Sequence, residues 1–480
     1  MNYSYGDDAP IAAFASLPGN SAFTLIRCSG LKCIDLLSSI FHKPEKLRNA
    51  HGNTIVHGWI CLSDEKIDEV LVSVFHAPKS YTGEDSAEIS CHGGISAGSA
   101  VMRALKTAGF REALPGEFSF RAFMNGKLDL TRSESVMELV SAKTETARKH
   151  AIVRLQGSLE NEINRIKKSL TSVLAGAELF LDYSDDEVSA DDNEKTGILP
   201  GKNKAYSVLK ELRNLAAAWD RERIFQEGIS VLIIGMPNTG KSSLFNTLLK
   251  EDRAIVTEIP GTTRDWLEAW ITIQGIPVRL IDTAGLREAA DEVEALGIQR
   301  TKELIQSADI ILYLIDGNTG ICTKDKELIA MLNNSTDSAA LILLWNKADL
   351  APKPQNLQES IMLADMLTAN NSMLAVSAKT GQGINELCNA IAAAINAMHK
   401  NANETCDLKS AGLGSARQKS LVDQACSSLE QALTLADKFE PLDLIAPLLR
   451  DAVNALGEIT GEVSTADILE EIFSRFCVGK

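Results

Sequence analysis

No apolar run in this sequence approaches the ~20 residues that a membrane-spanning helix needs, so no transmembrane segment is expected. The nine cysteines (Cys28, Cys33, Cys61, Cys91, Cys322, Cys388, Cys406, Cys426 and Cys477) stand singly, without a C-x-x-C pair or a disulfide-like rhythm. That pattern favours a reducing compartment. Met1 to Pro10 is polar and acidic and lacks the pattern of a signal or transit peptide, so a cytoplasmic protein without membrane contact is expected. Aromatic residues make up only 5%, and alanine-rich and aliphatic runs dominate, which points to helical packing outside any sheet. Positive charge is also scarce. With 48 Lys and Arg against 64 Asp and Glu, the formal charge of −16 opposes long-range attraction to polyanions, so any nucleic acid must be met locally. No internal repeat or low-complexity tract is evident.

What is present is 480 residues, 45% of them hydrophobic, enough for about three domains. Up to about Leu128, short apolar strands such as Phe23–Arg27 and Glu69–Phe75 mix with Gly-rich turns, the pattern of an α+β domain. From about Thr131 the period changes to 3 and 4. Ile152, Leu155, Leu159, Ile163, Ile166, Leu170 and Val173 or Leu174 form one stripe, which predicts one long helix whose partner is distant in sequence. Residues 229–395 alternate strand and helix patterns, as a parallel α/β unit does, and helical periodicity returns at Leu421, Leu429, Leu433, Leu448, Ala452, Leu456 and Ile459. The fold class expected is therefore multidomain: an N-terminal α+β domain (1–128), a discontinuous helical domain (129–225 and 397–480), and an inserted α/β domain (226–396), which the motifs that follow make a P-loop, Ras-like one.

Within the inserted segment, the strand pattern Ser230–Gly235 feeds Gly235-Met-Pro-Asn-Thr-Gly240-Lys241-Ser242 and then a helical run. A G-x-x-x-x-G-K-S loop between strand and helix wraps phosphates in backbone N–H groups. The phosphate contacts expected span Asn238, Thr239, Gly240, Lys241, Ser242 and Ser243, with Lys241 at the β/γ position and Ser242 offering its hydroxyl to Mg²⁺. Gly261-Thr-Thr-Arg-Asp265 has the place of a switch loop, with Thr263 as its Mg²⁺ ligand. Asp282-Thr-Ala-Gly285 follows a strand, so Asp282 can reach the metal through water and the Gly285 N–H can meet the γ-phosphate. Asn346-Lys347-Ala348-Asp349 follows another. A carboxylate at Asp349 accepts from guanine N1–H and N2–H₂, donors that adenine lacks, which selects GTP. Ser377, Ala378 and Lys379 offer backbone N–H groups to the guanine carbonyl. Leu286 stands where a Ras-like protein has its water-orienting glutamine, so another polar residue must act; Glu288, Asp291, Glu292 and Glu294 lie just downstream.

Beyond these motifs stand Tyr81-Thr-Gly-Glu-Asp85, His92-Gly-Gly94, Pro115-Gly-Glu-Phe-Ser119, Arg121 to Leu130 and the closing Cys477-Val-Gly-Lys480. Taken with the GTPase set, they make the chain resemble, over essentially its whole length, the TrmE (also called MnmE) tRNA-modification GTPases. The resemblance implies an N-terminal domain that dimerises and binds 5-formyltetrahydrofolate or a related tetrahydrofolate, through Arg27, Glu88, Lys127 and Lys480. It implies K⁺ in place of an arginine finger, held by Asn238 with oxygens around Thr257, Ile259 and Thr262. Glu294 would then orient water in place of a glutamine, with Arg287 in the same segment. It further implies a homodimer that joins the flavoprotein GidA (MnmG) as a heterotetramer and modifies C5 of the wobble uridine, position 34, of tRNA. Cys477 is either a nucleophile or a structural thiol. One departure is local: Ala15-Ser-Leu-Pro-Gly-Asn-Ser-Ala22 replaces the family's P-P-G-x-G-like stretch. Basic residues Arg165, Lys167, Lys168, Lys202 and Lys204 read as solvated helix faces. The alternative is a ribosome-assembly or RNA-binding GTPase switch. Such a switch would bring a basic patch or a G-x-x-G loop after the GTPase segment, where this chain has a helical tail.

Overall fold

The structure, a computed structural model, describes residues 5, 7–17, 19–63, 65–182, 199–250, 254–255, 267–282, 304–335, 339–350, 372–398 and 412–480. The chain divides into two compact units. One holds Met1–Met137, Arg154–Asn214 and Ser415–Lys480, and the other Glu138–Val153 with Leu215–Gly414.

In the first unit, β1 (Ile11–Phe14), β2 (Phe23–Ser29), β3 (Thr54–Leu62), β4 (Glu65–Phe75), β5 (Ser86–His92) and β6 (Arg111–Glu112) form one sheet in the order β3-β4-β5-β2-β1-β6. The two strand segments expected from sequence lie within β2 and β4. Strand alternation sends Val70, Val72 and Val74 of β4 and Ala87, Ile89 and Cys91 of β5 to one face, all buried. The helix Ile95–Ala108 covers that face with Val101, Met102 and Leu105. Burying each such side chain stabilises by about 1.5–3 kcal/mol.

The single helix expected from the stripe at Ile152 to Leu174 is instead two, Glu145–Leu155 and Ser158–Asp182. Gly157, at φ 90°, has a backbone that no α-helix continues through. The apolar period runs on across the break, which hides it. Leu159, Ile163, Ile166, Leu170 and Val173 are buried, and the second helix packs against Leu442–Thr460, which packs in turn against Ala416–Asp437. Its partner is thus distant in sequence, as the pattern implies. Of the five basic residues named from sequence, on Ser158–Asp182 and on the helix Lys202–Glu227, four have partners within the fold: Arg165 with Glu211 at 2.6 Å, Lys167 with Glu462, Lys202 with Asp437 at 2.6 Å, and Lys204 with the Ser172 hydroxyl at 2.6 Å.

In the second unit the strands are β7 (Ile229–Gly235), β8 (Ala254–Ile255), β9 (Leu267–Ile273), β10 (Ile276–Asp282), β11 (Ile310–Asp316), β12 (Ala340–Asn346) and β13 (Ser372–Ala375). Among the described residues the sheet order is β13-β12-β11-β7-β10-β9-β8. The sheet is mixed rather than wholly parallel. β13, β12, β11, β7 and β10 run parallel, while β9 turns back antiparallel through Gln274-Gly275 and pairs with β8. Strands β7, β11 and β12 are buried on both faces, so they read as continuous apolar runs rather than alternating ones. One core packs with the helices Lys241–Lys250 and Ile384–Met398, and the other with Thr323–Ser335. The carboxyl ends of the parallel strands converge at one edge, where ligands of open α/β sheets sit.

Candidate functional site

β7 delivers the chain at the centre of that edge, and the loop from Gly235 leads into the helix starting at Lys241. Asn238 (φ 64°) and Gly240 (φ 96°) bend the loop so that its amides face inward at the helix N-terminus. Lys241 is buried and donates to the carbonyls of Gly235 (3.1 Å) and Met236 (3.0 Å), and the Thr239 hydroxyl donates to Met236 O at 2.9 Å. Its ammonium is thereby held over the mouth of the loop, and those weak carbonyl partners yield readily to phosphate oxygens. The Ser242 hydroxyl donates to Asp282 Oδ2 at 3.0 Å, and Asp282 is fully buried at the end of β10. A hydroxyl and a carboxylate placed side by side are hard oxygen donors of the kind that suit Mg²⁺. Ser243 and Asn238 are exposed.

The base-side motif sits one strand pair away. Asn346, at the end of β12, donates from Nδ2 to Thr239 O (2.7 Å) and accepts from the Ala378 N–H at Oδ1 (3.1 Å). The Thr247 hydroxyl donates to Ala378 O at 2.6 Å. The Asn346 side chain therefore joins the phosphate loop to the base loop from within the protein and is not presented to a base. Gly240 makes this possible, since a Cβ there would lie 2.3 Å from Asn346 Nδ2. Lys347, with φ 61°, pairs through Nζ with Asp316 Oδ2 at 2.6 Å, which lays its stem along the site. Asp349 is exposed and accepts the Ser377 hydroxyl at Oδ1 (2.7 Å), an arrangement that aims the carboxylate and leaves acceptor capacity toward solvent. Ala378 is buried and Lys379 exposed. Sequence reasoning missed Asp316. It ends β11 in register with Asn346 on β12, and that pairing becomes visible only when the strands are aligned.

Thr257, Ile259, Thr262, Thr263, Gly285, Arg287 and Glu294 lie outside the described residues. Of the K⁺ set, Asn238 alone is described. It supplies an oxygen donor on an exposed loop.

In the other unit, Arg27 and Glu88 are direct cross-strand partners on β2 and β5. Arg27 donates to Glu88 Oε1 from Nε (3.0 Å) and Nη2 (2.8 Å), and from Nη1 to Gly479 O (3.3 Å). Its guanidinium lies 5.3 Å from the Tyr81 ring centroid and 5.7 Å from that of Phe118. Lys127 is bound to Pro78 O at 2.9 Å, beside Gly83. The Lys480 main-chain oxygen accepts the Phe118 N–H at 3.2 Å. Arg27, Glu88 and the Cys477–Lys480 segment are thus brought together, and Lys127 lies on the loop just after the helix Glu117–Met124. Arginine, lysines and an acceptor carboxylate fit the carboxylates and amino donors of a reduced folate, although Arg27 is already engaged by Glu88. Cys477 is exposed. By contrast, burial raises the Cys28 and Cys33 thiols and pushes those of Cys91 and Cys426 up to about 11, which keeps them protonated and inert.

Two family models match this chain: the GTP-binding protein TrmE N-terminus over residues 10–127 and the MnmE helical domain over residues 130–477. Curated relatives match at full length. The tRNA modification GTPase MnmE of Treponema denticola is 42% identical, covering 100% of this chain and 99% of its own. Those of Acetivibrio thermocellus and Moorella thermoacetica are 38% and 39% identical, covering 99% and 98% of this chain and 100% of each relative. With a P-loop sheet of the required form and relatives matched from end to end, the chain belongs to the MnmE/TrmE family of tRNA modification GTPases.

Proposed function

We propose that this protein hydrolyses GTP and, with a flavin-carrying partner of the MnmG (GidA) type, modifies C5 of the wobble uridine of certain tRNAs with a tetrahydrofolate one-carbon unit. The observation that carries the reading is the Asn346 relay, which locks a lysine-bearing phosphate loop to a loop ending in the Asp349 carboxylate. Lys241 and the loop amides grip the phosphates, Ser242 and Thr263 hold Mg²⁺, which Asp282 reaches through water, and Asp349 reads the base. Bound Mg²⁺ neutralises charge on the phosphates. Arg27, Glu88, Lys127 and Lys480 bind the folate, and Cys477 is the candidate nucleophile beside it. The chain works as a homodimer that joins the flavoprotein as a heterotetramer. Sedimentation of the mixed proteins tests this, and separate species at micromolar concentration would count against it.

Nucleoside analysis of tRNA from cells lacking this chain tests the function directly. Loss of the C5-modified uridine, restored by the wild-type gene and not by a Cys477→Ser gene, is the expected result. A normal nucleoside profile in the deletion strain would refute the reading. Full restoration by Cys477→Ser would remove only the nucleophile.

Asn238, with backbone oxygens near Thr257, Ile259 and Thr262, holds K⁺ beside the phosphates, and Glu294 orients the attacking water, with Arg287 in the same segment. Replacing K⁺ by Na⁺ at constant ionic strength is then expected to lower kcat by about tenfold or more, because a site spaced for K⁺ holds the smaller Na⁺ poorly and its charge is lost from the transition state. Equal rates in the two salts would dispose of the cation site.

A further inference from the structure

The segment Cys477–Lys480 is docked at several points on the N-terminal domain. Gly116 N–H donates to Cys477 O (3.3 Å) and Phe118 N–H to Lys480 O (3.2 Å). Both donors belong to the start of the helix Glu117–Met124, whose cap residue, Gly116, makes no side-chain capping bond. The segment's main-chain oxygens therefore do the capping that a serine or aspartate does elsewhere. Gly479, at φ 92°, passes so close to β1 that a Cβ would lie 2.3 Å from Phe14 O. Behind the segment, Phe476 is buried against Phe473, which meets Phe120 edge-on.

Arg27 completes this arrangement. An ordinary cross-strand ion pair requires only Glu88. Here two nitrogens take Glu88 Oε1, a third reaches Gly479 O, and the plane lies near the rings of Tyr81 and Phe118. Only a planar fork with donors on several edges bridges a carboxylate and a carbonyl at once while lying against aromatic rings. We propose that Arg27 is a positioning residue that clamps residues 477–480 onto the N-terminal sheet and thereby sets where the Cys477 thiol stands. Its significance for catalysis rests on the folate and Cys477 reading above, but the clamp itself is a property of the folate-free protein.

The test therefore uses full-length protein without folate. Arg27→Met is expected to raise amide hydrogen exchange at Gly116 and Phe118, and the iodoacetamide rate of Cys477 followed by peptide mass spectrometry, by about tenfold, while Val72 and Ile89 in the sheet exchange as in the wild type. Arg27→Lys keeps the charge and loses the fork, so it is expected to show the same defect. Unchanged exchange at Gly116 and Phe118 in Arg27→Met, or full rescue by lysine, overturns the proposal. Should Arg27→Met not fold, Gly479→Ala displaces the segment from its other side with the Arg27–Glu88 pair intact. It must give the same exchange and alkylation signature, and a wild-type signature there also overturns the proposal. Titration with 5-formyltetrahydrofolate separates the two readings. Lost folate affinity with wild-type exchange makes Arg27 a ligand residue and sinks the clamp. Retained affinity with raised exchange supports the clamp and removes Arg27 from the folate site.

Discussion

Lys241→Ala is expected to cut kcat for GTP hydrolysis by about 10²–10³, and to weaken GTP more than it weakens GDP. The effect follows from where the Lys241 ammonium is held. It is buried at the mouth of the phosphate loop on the Gly235 and Met236 carbonyls, partners that stabilise a buried cation far less than a phosphate does. A bound triphosphate replaces them, and the gain grows as negative charge develops on the transferred group. Removing a buried cation relieves its desolvation cost, so the nucleotide-free variant is expected to melt within a few degrees of the wild type. A variant that melts normally and still hydrolyses GTP at the wild-type rate would show that Lys241 does not face the terminal phosphates.

Legibility in the sequence differs from residue to residue. The phosphate loop is legible, because its function needs contiguous residues between a buried strand and a helix, and Gly235 to Ser242 spell that geometry locally. Asn346 is legible only in part. Its motif marks it as part of the base site, yet its side chain serves Thr239 and Ala378, a link between residues more than a hundred positions apart that no local pattern shows. The Lys347–Asp316 and Arg27–Glu88 pairs are likewise facts of strand register. The helix break at Gly157 escaped because the apolar period continues across it, and the antiparallel β9 because apolar strand patterns do not carry direction. Of the basic residues expected to be solvated, Arg165, Lys168 and Lys204 are exposed, and Arg165, Lys167 and Lys202 also pair with acidic residues within the fold, contacts between distant segments that no local pattern shows.

The second large effect concerns the base. Asp349 presents a carboxylate steadied by the Ser377 hydroxyl, so both guanine donors, N1–H and N2–H₂, find acceptors on a single side chain. Asparagine at 349 keeps one acceptor and turns the other into a donor. It then faces the guanine amino group donor to donor, and it matches xanthine, which carries a carbonyl at that position. A mismatch of this kind leaves polar groups unpaired and is expected to weaken GTP by about 10² or more while strengthening XTP correspondingly. If the Asn346-linked loops form one guanine site, calorimetric titration of wild-type and Asp349→Asn proteins with nonhydrolysable GTP and XTP analogues inverts the preference between the two proteins. An Asp349→Asn protein that binds the GTP analogue as tightly as the wild type and ignores the XTP analogue would rule such a site out.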